Sequence, residues 1–186
     1  MAVHKVIHAS PRHGNILVVN WCLSNVCNLS CSYCPDILHN RSIPFPDPIA
    51  VLQFCSRIKE HYQDKELFFE FTGGEVTLWK DLPLVLNHLR QIGARSGIIS
   101  NGSRTLDWWS KNADCMDHVC LSFHSEQAKK DHYLAVAEML SERLSLHLNI
   151  MMSPKNFDAC IQVAEGASRL KNVSIALQPL IIDFKD

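Results

Sequence analysis

The sequence predicts an α/β fold organised around a parallel sheet, and three observations carry that reading. Short strand-like apolar runs alternate with longer amphipathic stretches along the whole chain, the signature of repeated βαβ units with right-handed crossovers. The 186 residues, 47% of them apolar and 20% charged, suffice to bury roughly 70% of the unfolded surface in one core. No low-complexity segment, internal repeat or linker interrupts the pattern. A single domain over residues 1–186 is therefore expected, with 1–14 as an N-terminal extension and 15–182 as the core.

The elements follow in order. Residues 16–23 form a continuous apolar run containing Val18 and Val19, as expected of a strand buried on both faces. A cysteine-rich loop comes next, then the proline-rich passage Pro44-Phe45-Pro46-Asp47-Pro48. Proline pre-sets φ for a first helical turn, and Asp47 is a fitting N-cap for a helix over residues 49–61. A second strand over 66–71 ends at Thr72-Gly73-Gly74-Glu75. Residues 82–92 read as a helix, with Asp81 and Pro83 at its start and Gly93 at its end. A third strand, 95–100, runs into Ser100-Asn101-Gly102. A short helix over 106–112 carries Trp108 and Trp109, which read as packing residues. Strands over 117–123, 144–151 and 173–180 alternate with helices over 126–140 and 156–170.

Six strands are too few for a closed eight-unit barrel, which needs at least ~200 residues. A doubly wound open sheet is the other arrangement this alternation allows. Every chemically suggestive residue falls just after the C-terminal end of a strand, where both architectures place their sites. That placement does not separate them.

Composition narrows the function classes. Eighteen basic against nineteen acidic residues give a formal net charge of −1, which gives no support for a nucleic-acid-binding surface. No apolar run approaches the ~20 residues that span a bilayer. The opening Met1-Ala2-Val3-His4-Lys5-Val6 lacks the apolar core of a secretory signal. Eight cysteines in such a chain point to free thiols in a reducing cytoplasm.

The richest chemistry lies in Cys27-Asn28-Leu29-Ser30-Cys31-Ser32-Tyr33-Cys34. Three thiolates spaced x3 then x2 can hold three corners of a cubane iron–sulfur cluster and leave the fourth iron free, whereas electron-transfer clusters normally take four cysteines. An open coordination position is how a metal centre performs chemistry. Zinc is the competing occupant, with His39 as fourth ligand, and a disulfide framework is arithmetically possible. The remaining cysteines, 22, 55, 115, 120 and 160, lack ligand spacing and read as small buried hydrophobes or inert thiols.

With Gly73-Gly74-Glu75 one strand after the cysteine loop and Ser100-Asn101-Gly102 one strand further on, the chain resembles the radical S-adenosylmethionine (SAM) enzymes from residue 16 to 180. The resemblance implies a partial (β/α)6 barrel of the radical SAM type, here ending at or just after the sixth strand. It implies that Cys27, Cys31 and Cys34 ligate a [4Fe–4S] cluster whose fourth iron is chelated by SAM, and that reductive cleavage of SAM yields a 5′-deoxyadenosyl radical that abstracts hydrogen from a substrate. It further implies SAM contacts from Tyr33 (adenine), Gly73, Gly74 and Glu75 (the amino group), Ser100 and Asn101 (methionyl or ribose), Ser122, Asn149 (ribose) and Met151. His124 and Gln178 are substrate-side candidates. The glycines suit close backbone approach and positive φ, and Glu75 is an anionic acceptor for a cationic amine. The substrate class stays open among a small metabolite, a sugar or nucleoside, and a peptide. An external flavodoxin- or ferredoxin-like electron donor is implied as well. A non-catalytic iron–sulfur or zinc-binding module that keeps the fold is the alternative function.

One departure from the family pattern bears on partners. Family members usually carry a further helix after the sixth strand and an extension over the barrel mouth. Without them the last strand would expose apolar surface and an unpaired edge. A partner subunit, the N-terminal segment, or further C-terminal sequence of a longer polypeptide is expected to cover it.

Overall fold

The computed structural model describes residues 14–180. Most of the expected N-terminal extension and the last residues of the expected core lie outside the described residues. Six strands form one sheet in the order β1-β2-β3-β4-β5-β6: β1 (Ile16–Cys22), β2 (Glu66–Thr72), β3 (Arg95–Ser100), β4 (His118–His124), β5 (Ser145–Met152) and β6 (Val173–Pro179). Every neighbouring pair is parallel. Sequential order without a reversal excludes the doubly wound alternative, which needs a switch point in strand order. Right-handed crossovers then carry all connecting helices to one side. β1 and β6 do not pair with each other, so the sheet is a partial barrel.

The helices are α1 (Pro48–His61), α2 (Leu82–Gln91), α3 (Leu106–Asn112), α4 (Lys130–Ser141) and α5 (Phe157–Ala167). Asp47 caps α1, its carboxylate accepting from the Ile49 amide at 3.3 Å, and Thr105 caps α3 through the Trp108 amide. Asp81 stands at the N-cap of α2 without a side-chain bond. Gly93, at φ +70°, ends the turn after α2 in the left-handed region that glycine enters freely.

The core lies between the sheet and the helices. Phe69 and Phe71, Ile98, Val119 and Leu121, and Leu148 and Ile150 alternate onto that face, against Leu86, Leu89, Trp109, Tyr133, Val136, Leu140 and Val163. Tyr133 is 1% exposed, and its hydroxyl donates to the Leu121 carbonyl at 2.9 Å, which satisfies the polar tip of a buried ring.

The structure corrects three expectations. β1 is not buried on both faces: Val18 is 51% exposed, because an edge strand of an unclosed barrel has only its odd-numbered side, Leu17, Val19 and Trp21, packed on the core. The fourth helix begins at Lys130 rather than 126. The amides of Gln127 and Ala128 both return to the His124 carbonyl and close a turn instead. Cys55 and Cys160 are buried as expected, but Cys22 is exposed. At the other edge, Leu177 of β6 is 50% exposed.

Candidate functional site

A cavity of about 670 Å3 opens at the C-terminal ends of the strands. The cysteine loop after β1 supplies Cys27, Cys31, Cys34 and Tyr33 to its wall. The ends of β2 to β5 and the turns after them supply Thr72, Gly73, Gly74, Ser100, Asn101, Ser122, His124 and Met151. Ile37, Leu38 and Ile43 form an apolar rim, each at least half exposed. Cys22 also borders the cavity, its thiol directed at the Ser24 carbonyl (3.9 Å).

The three loop thiols share this one cavity. Burial pushes Cys31 up to about 11, with the Tyr33 hydroxyl opposing, and burial likewise raises Cys27 and Cys34. Metal-free, they are therefore protonated at neutral pH, and metal uptake releases those protons. Among the described residues no three His, Cys, Asp or Glu side chains are arranged to hold one metal ion. A zinc site requires such convergence. His39 lines the same cavity, with its Nε2 3.7 Å from the Asp36 carboxylate. A cubane places its irons on separate corners, so its thiolates line a cavity without meeting at a point, and the donor set fits that group.

The glycine turn is dictated by the chain's own backbone. A Cβ on Gly74 would stand 2.1 Å from the Val26 carbonyl oxygen, and one on Gly73 would stand 2.3 Å from that of Ser24. Gly73 also has φ +103°. The close approach anticipated toward a ligand is thus made first by residues 24–26, the segment leading into the cysteine loop. The Glu75 amide bonds the Val26 carbonyl at 2.8 Å, completing the seam.

Glu75 is fully buried and does not line the cavity. One carboxylate oxygen accepts from the Thr77 amide (3.1 Å), the Thr77 hydroxyl (2.6 Å) and the Ser100 hydroxyl (2.8 Å). The other accepts from the Asn101 amide at 2.6 Å. Burial pushes its acidity toward higher pH, and these four donors pull it back. In place of a free acceptor for an amine, the structure shows an internal anchor that joins the turn after β2 to the turn after β3. Asn101 passes the link on: its amide nitrogen donates to Asn28 of the cysteine loop at 3.0 Å, and its oxygen accepts from the Ser103 amide.

The turn after β4 grips the cysteine loop from the far side. Tyr33 Oη and His124 Nδ1 lie 2.5 Å apart. Burial lowers His124 to about 4 and raises Tyr33, so a neutral imidazole and a neutral phenol share this hydrogen bond. Glu126 accepts from the Ser32 amide (2.8 Å) and hydroxyl (2.5 Å), and Gln127 accepts from the Ser30 amide (3.2 Å). On the near side Arg41 donates twice to the Cys27 carbonyl (3.2 and 3.0 Å). Tyr33 and His124 were singled out from sequence but not as a pair, and Glu126, Gln127 and Arg41 were not singled out at all. Each spans between fourteen and ninety-seven positions, and only the short Glu75–Thr77 bond carries a local signal.

The remaining expected site residues divide. Ser122 is buried and lines the cavity, as does Met151. Asn149 pairs in register with Ser122 on the same face, is half-buried, and makes no side-chain hydrogen bond among the described residues. It stands outside the cavity wall. Gln178 is in register with Met151 but exposed, its amide on the Pro179 carbonyl at 3.4 Å.

A singly wound partial β/α barrel, with a three-thiol loop over the C-terminal ends of its strands, defines a class of protein that builds its site around an iron–sulfur cluster. The model of the radical SAM superfamily matches residues 21–170, and the chain belongs to that superfamily, whose members use a [4Fe–4S] cluster and SAM. Among solved structures it is similar to Streptococcus suis SuiB bound to S-adenosylmethionine (17% identity, TM-score 0.67, covering 92% of this chain and 42% of that one). It is also similar to anSMEcpe with bound AdoMet (15%, 0.65, 88% and 52%). A third similar structure is BtrN in complex with AdoMet and 2-DOIA (20%, 0.57, 70% and 55%). At these identities the likeness speaks for the fold, and the chain spans about half the length of the structures it matches. No curated protein matches the chain. No helix among the described residues is long and apolar enough to cross a membrane.

Proposed function

We propose that the chain is the catalytic core of a radical SAM enzyme, with Cys27, Cys31 and Cys34 holding three irons of a [4Fe–4S] cluster and SAM seated in the cavity beside them. When bound and reduced by an external flavodoxin- or ferredoxin-like donor, the cluster would supply the electron that cleaves the SAM sulfonium bond into methionine and a 5′-deoxyadenosyl radical. The observation that carries this reading is the convergence of all three loop thiols with the ends of β2 to β5 on one cavity of about 670 Å3, within the several-hundred-Å3 range of cofactor pockets. Around it, the protein's part is to position and to exclude water.

Gly73 and Gly74 set the cysteine loop against the strand ends. Ser100 and Asn101, held by Glu75, fix the adjoining turn. Ser122 and the unpartnered amide of Asn149 present polar groups for the ribose, while Tyr33 and Met151 offer surface for the adenine. His124 presents a neutral imidazole at the wall, and Gln178 stands further out toward a substrate. The substrate is a small metabolite, a sugar or nucleoside, or a peptide. SuiB has been solved bound to the precursor peptide SuiA and BtrN with 2-DOIA, so the fold accommodates both kinds. The exposed edge at Leu177 fits a partner subunit or further C-terminal elements, and the whole chain acts as one core domain in the cytoplasm.

Cys31→Ala tests the reading. Anaerobically reconstituted wild type should show the brown cluster chromophore and form 5′-deoxyadenosine with reductant, and the variant should do neither. SAM cleavage that survives in Cys31→Ala would overturn the proposal.

A further inference from the structure

The loop that carries the three thiols is held at its two ends by side chains of opposite charge. Arg41 donates from Nε and Nη2 to the carbonyl of Cys27, at 3.2 and 3.0 Å. Glu126 receives the amide and the hydroxyl of Ser32, the residue after Cys31. Both grips bond to the loop backbone, so each charge has a fixed place relative to the ligand beside it. Neither side chain forms an ion pair within 4 Å among the described residues, although the Lys155 ammonium acts on Glu126 from further away.

Arg41 also stands at φ +62°. A residue with a Cβ enters that left-handed region only against steric resistance, and such outliers persist where the surroundings over-determine them. Those surroundings are visible. Asn25, 3% exposed, gathers the segment around Arg41, donating to the Ile37 carbonyl, Asn40 and Ser42 and accepting from the Ile43 amide. The segment is thus built to bring one cation onto one carbonyl.

We propose that Arg41 and Glu126 are positioning residues that set the reduction potential of the cluster in opposite directions, Arg41 raising it and Glu126 lowering it. This rests on the cluster assignment made above. Reduction adds one negative charge to the cluster, so a fixed cation nearby favours it and a fixed anion opposes it. Net charge and hydrogen bonding around the site are recognised controls on cluster potential. The Arg41 and Glu126 side chains are partly solvated, so their influence is moderate and weakens as salt rises.

The test is an EPR-monitored redox titration of the reconstituted cluster in the full chain without SAM, so that turnover plays no part. At the wild-type midpoint the ratio of reduced to oxidised cluster should fall about three- to tenfold in Arg41→Gln and rise about three- to tenfold in Glu126→Gln. For a one-electron couple at 59 mV per tenfold, these are shifts of about 30–60 mV downward and upward. Arg41→Lys, which keeps the charge and loses the two-pronged grip, should stay near wild type. Both shifts should shrink in 1 M salt. Arg41→Met and Glu126→Ala replace any glutamine variant that does not fold. Shifts of the same sign in both neutral variants, or no shift in either, would overturn the proposal while leaving the cluster assignment standing. A wild type that takes up no cluster would overturn both.

Discussion

Glu75→Ala separates an internal anchor from a ligand contact. The wild-type carboxylate is fully buried and receives two backbone amides, from Thr77 and Asn101, and two hydroxyls, from Thr77 and Ser100. Alanine removes every acceptor at once. The hydroxyls can turn to other partners, but the two amides are fixed by the chain, and each buried donor left unpaired costs about 1–3 kcal/mol. Relief from burying a carboxylate offsets part of that sum. Removing one member of a buried charged network typically costs about 3–5 kcal/mol, and a loss of about 4 kcal/mol is expected. A chain of this size loses about 2–4 °C of melting temperature per kcal/mol, so the transition should fall by about 8–16 °C. The measurement is urea and thermal unfolding of the metal-free protein without SAM, because a bound cluster would break two-state behaviour. Glu75→Gln should fall between, since its NH2 group turns two donors toward donors. A Glu75→Ala protein within about 0.5 kcal/mol of wild type in the metal-free state would refute the anchor role and return Glu75 to the ligand.

Two further outcomes follow from the same geometry. Gly74→Ala puts a methyl 2.1 Å from the Val26 carbonyl, a backbone atom that cannot swing aside. It should cost at least ~3 kcal/mol by overpacking and displace the cysteine loop, read as lost cluster loading, whereas Gly93→Ala, with nothing within 4 Å but φ +70°, should cost ~1–2 kcal/mol and leave loading intact. His124 is held neutral, its folded value near 4 lying below the ordinary 6.5. Between those values the unfolded chain binds a proton that the folded chain refuses, so stability should fall as pH drops from 6.5 toward 4, by at most about 3 kcal/mol. Urea midpoints at pH 7 and pH 5 should therefore draw together in His124→Gln, and an unchanged pH slope in that variant would discount the mechanism.

The order and type of the elements were legible because they rest on local patterns. Apolar alternation marked β5, and turn residues such as Asp47 and Gly93 marked where helices start and stop. The misreadings arise where the deciding contact is distant. The run of residues 16–23 has the composition of a doubly covered strand, but whether Val18 is covered depends on barrel closure, a property of the sheet as a whole. The stretch 126–129 is helical by pattern, and it closes as a turn on His124 while Glu126 reaches a serine ninety-four positions away.

The same division explains the site. The three thiols proposed as cluster ligands announce themselves, because x3 and x2 spacing has few other uses, whereas the groups that hold their loop carry no motif. Gly73, Gly74 and Glu75 lie between the two cases. Their pattern marks the right turn, yet what fixes these residue types in the structure is the backbone of residues 24–26 and four internal donors. A cavity that admits a nucleotide beside three thiols needs its loop pinned from both flanks, or the thiols would follow the loop's own fluctuations. Here the pins are Asn101 and Arg41 on one flank and His124, Glu126 and Gln127 on the other. They come from turns after β3 and β4 and from the segment before α1, so the cysteine loop acquires its geometry only once the parallel strands have brought their C-terminal ends together.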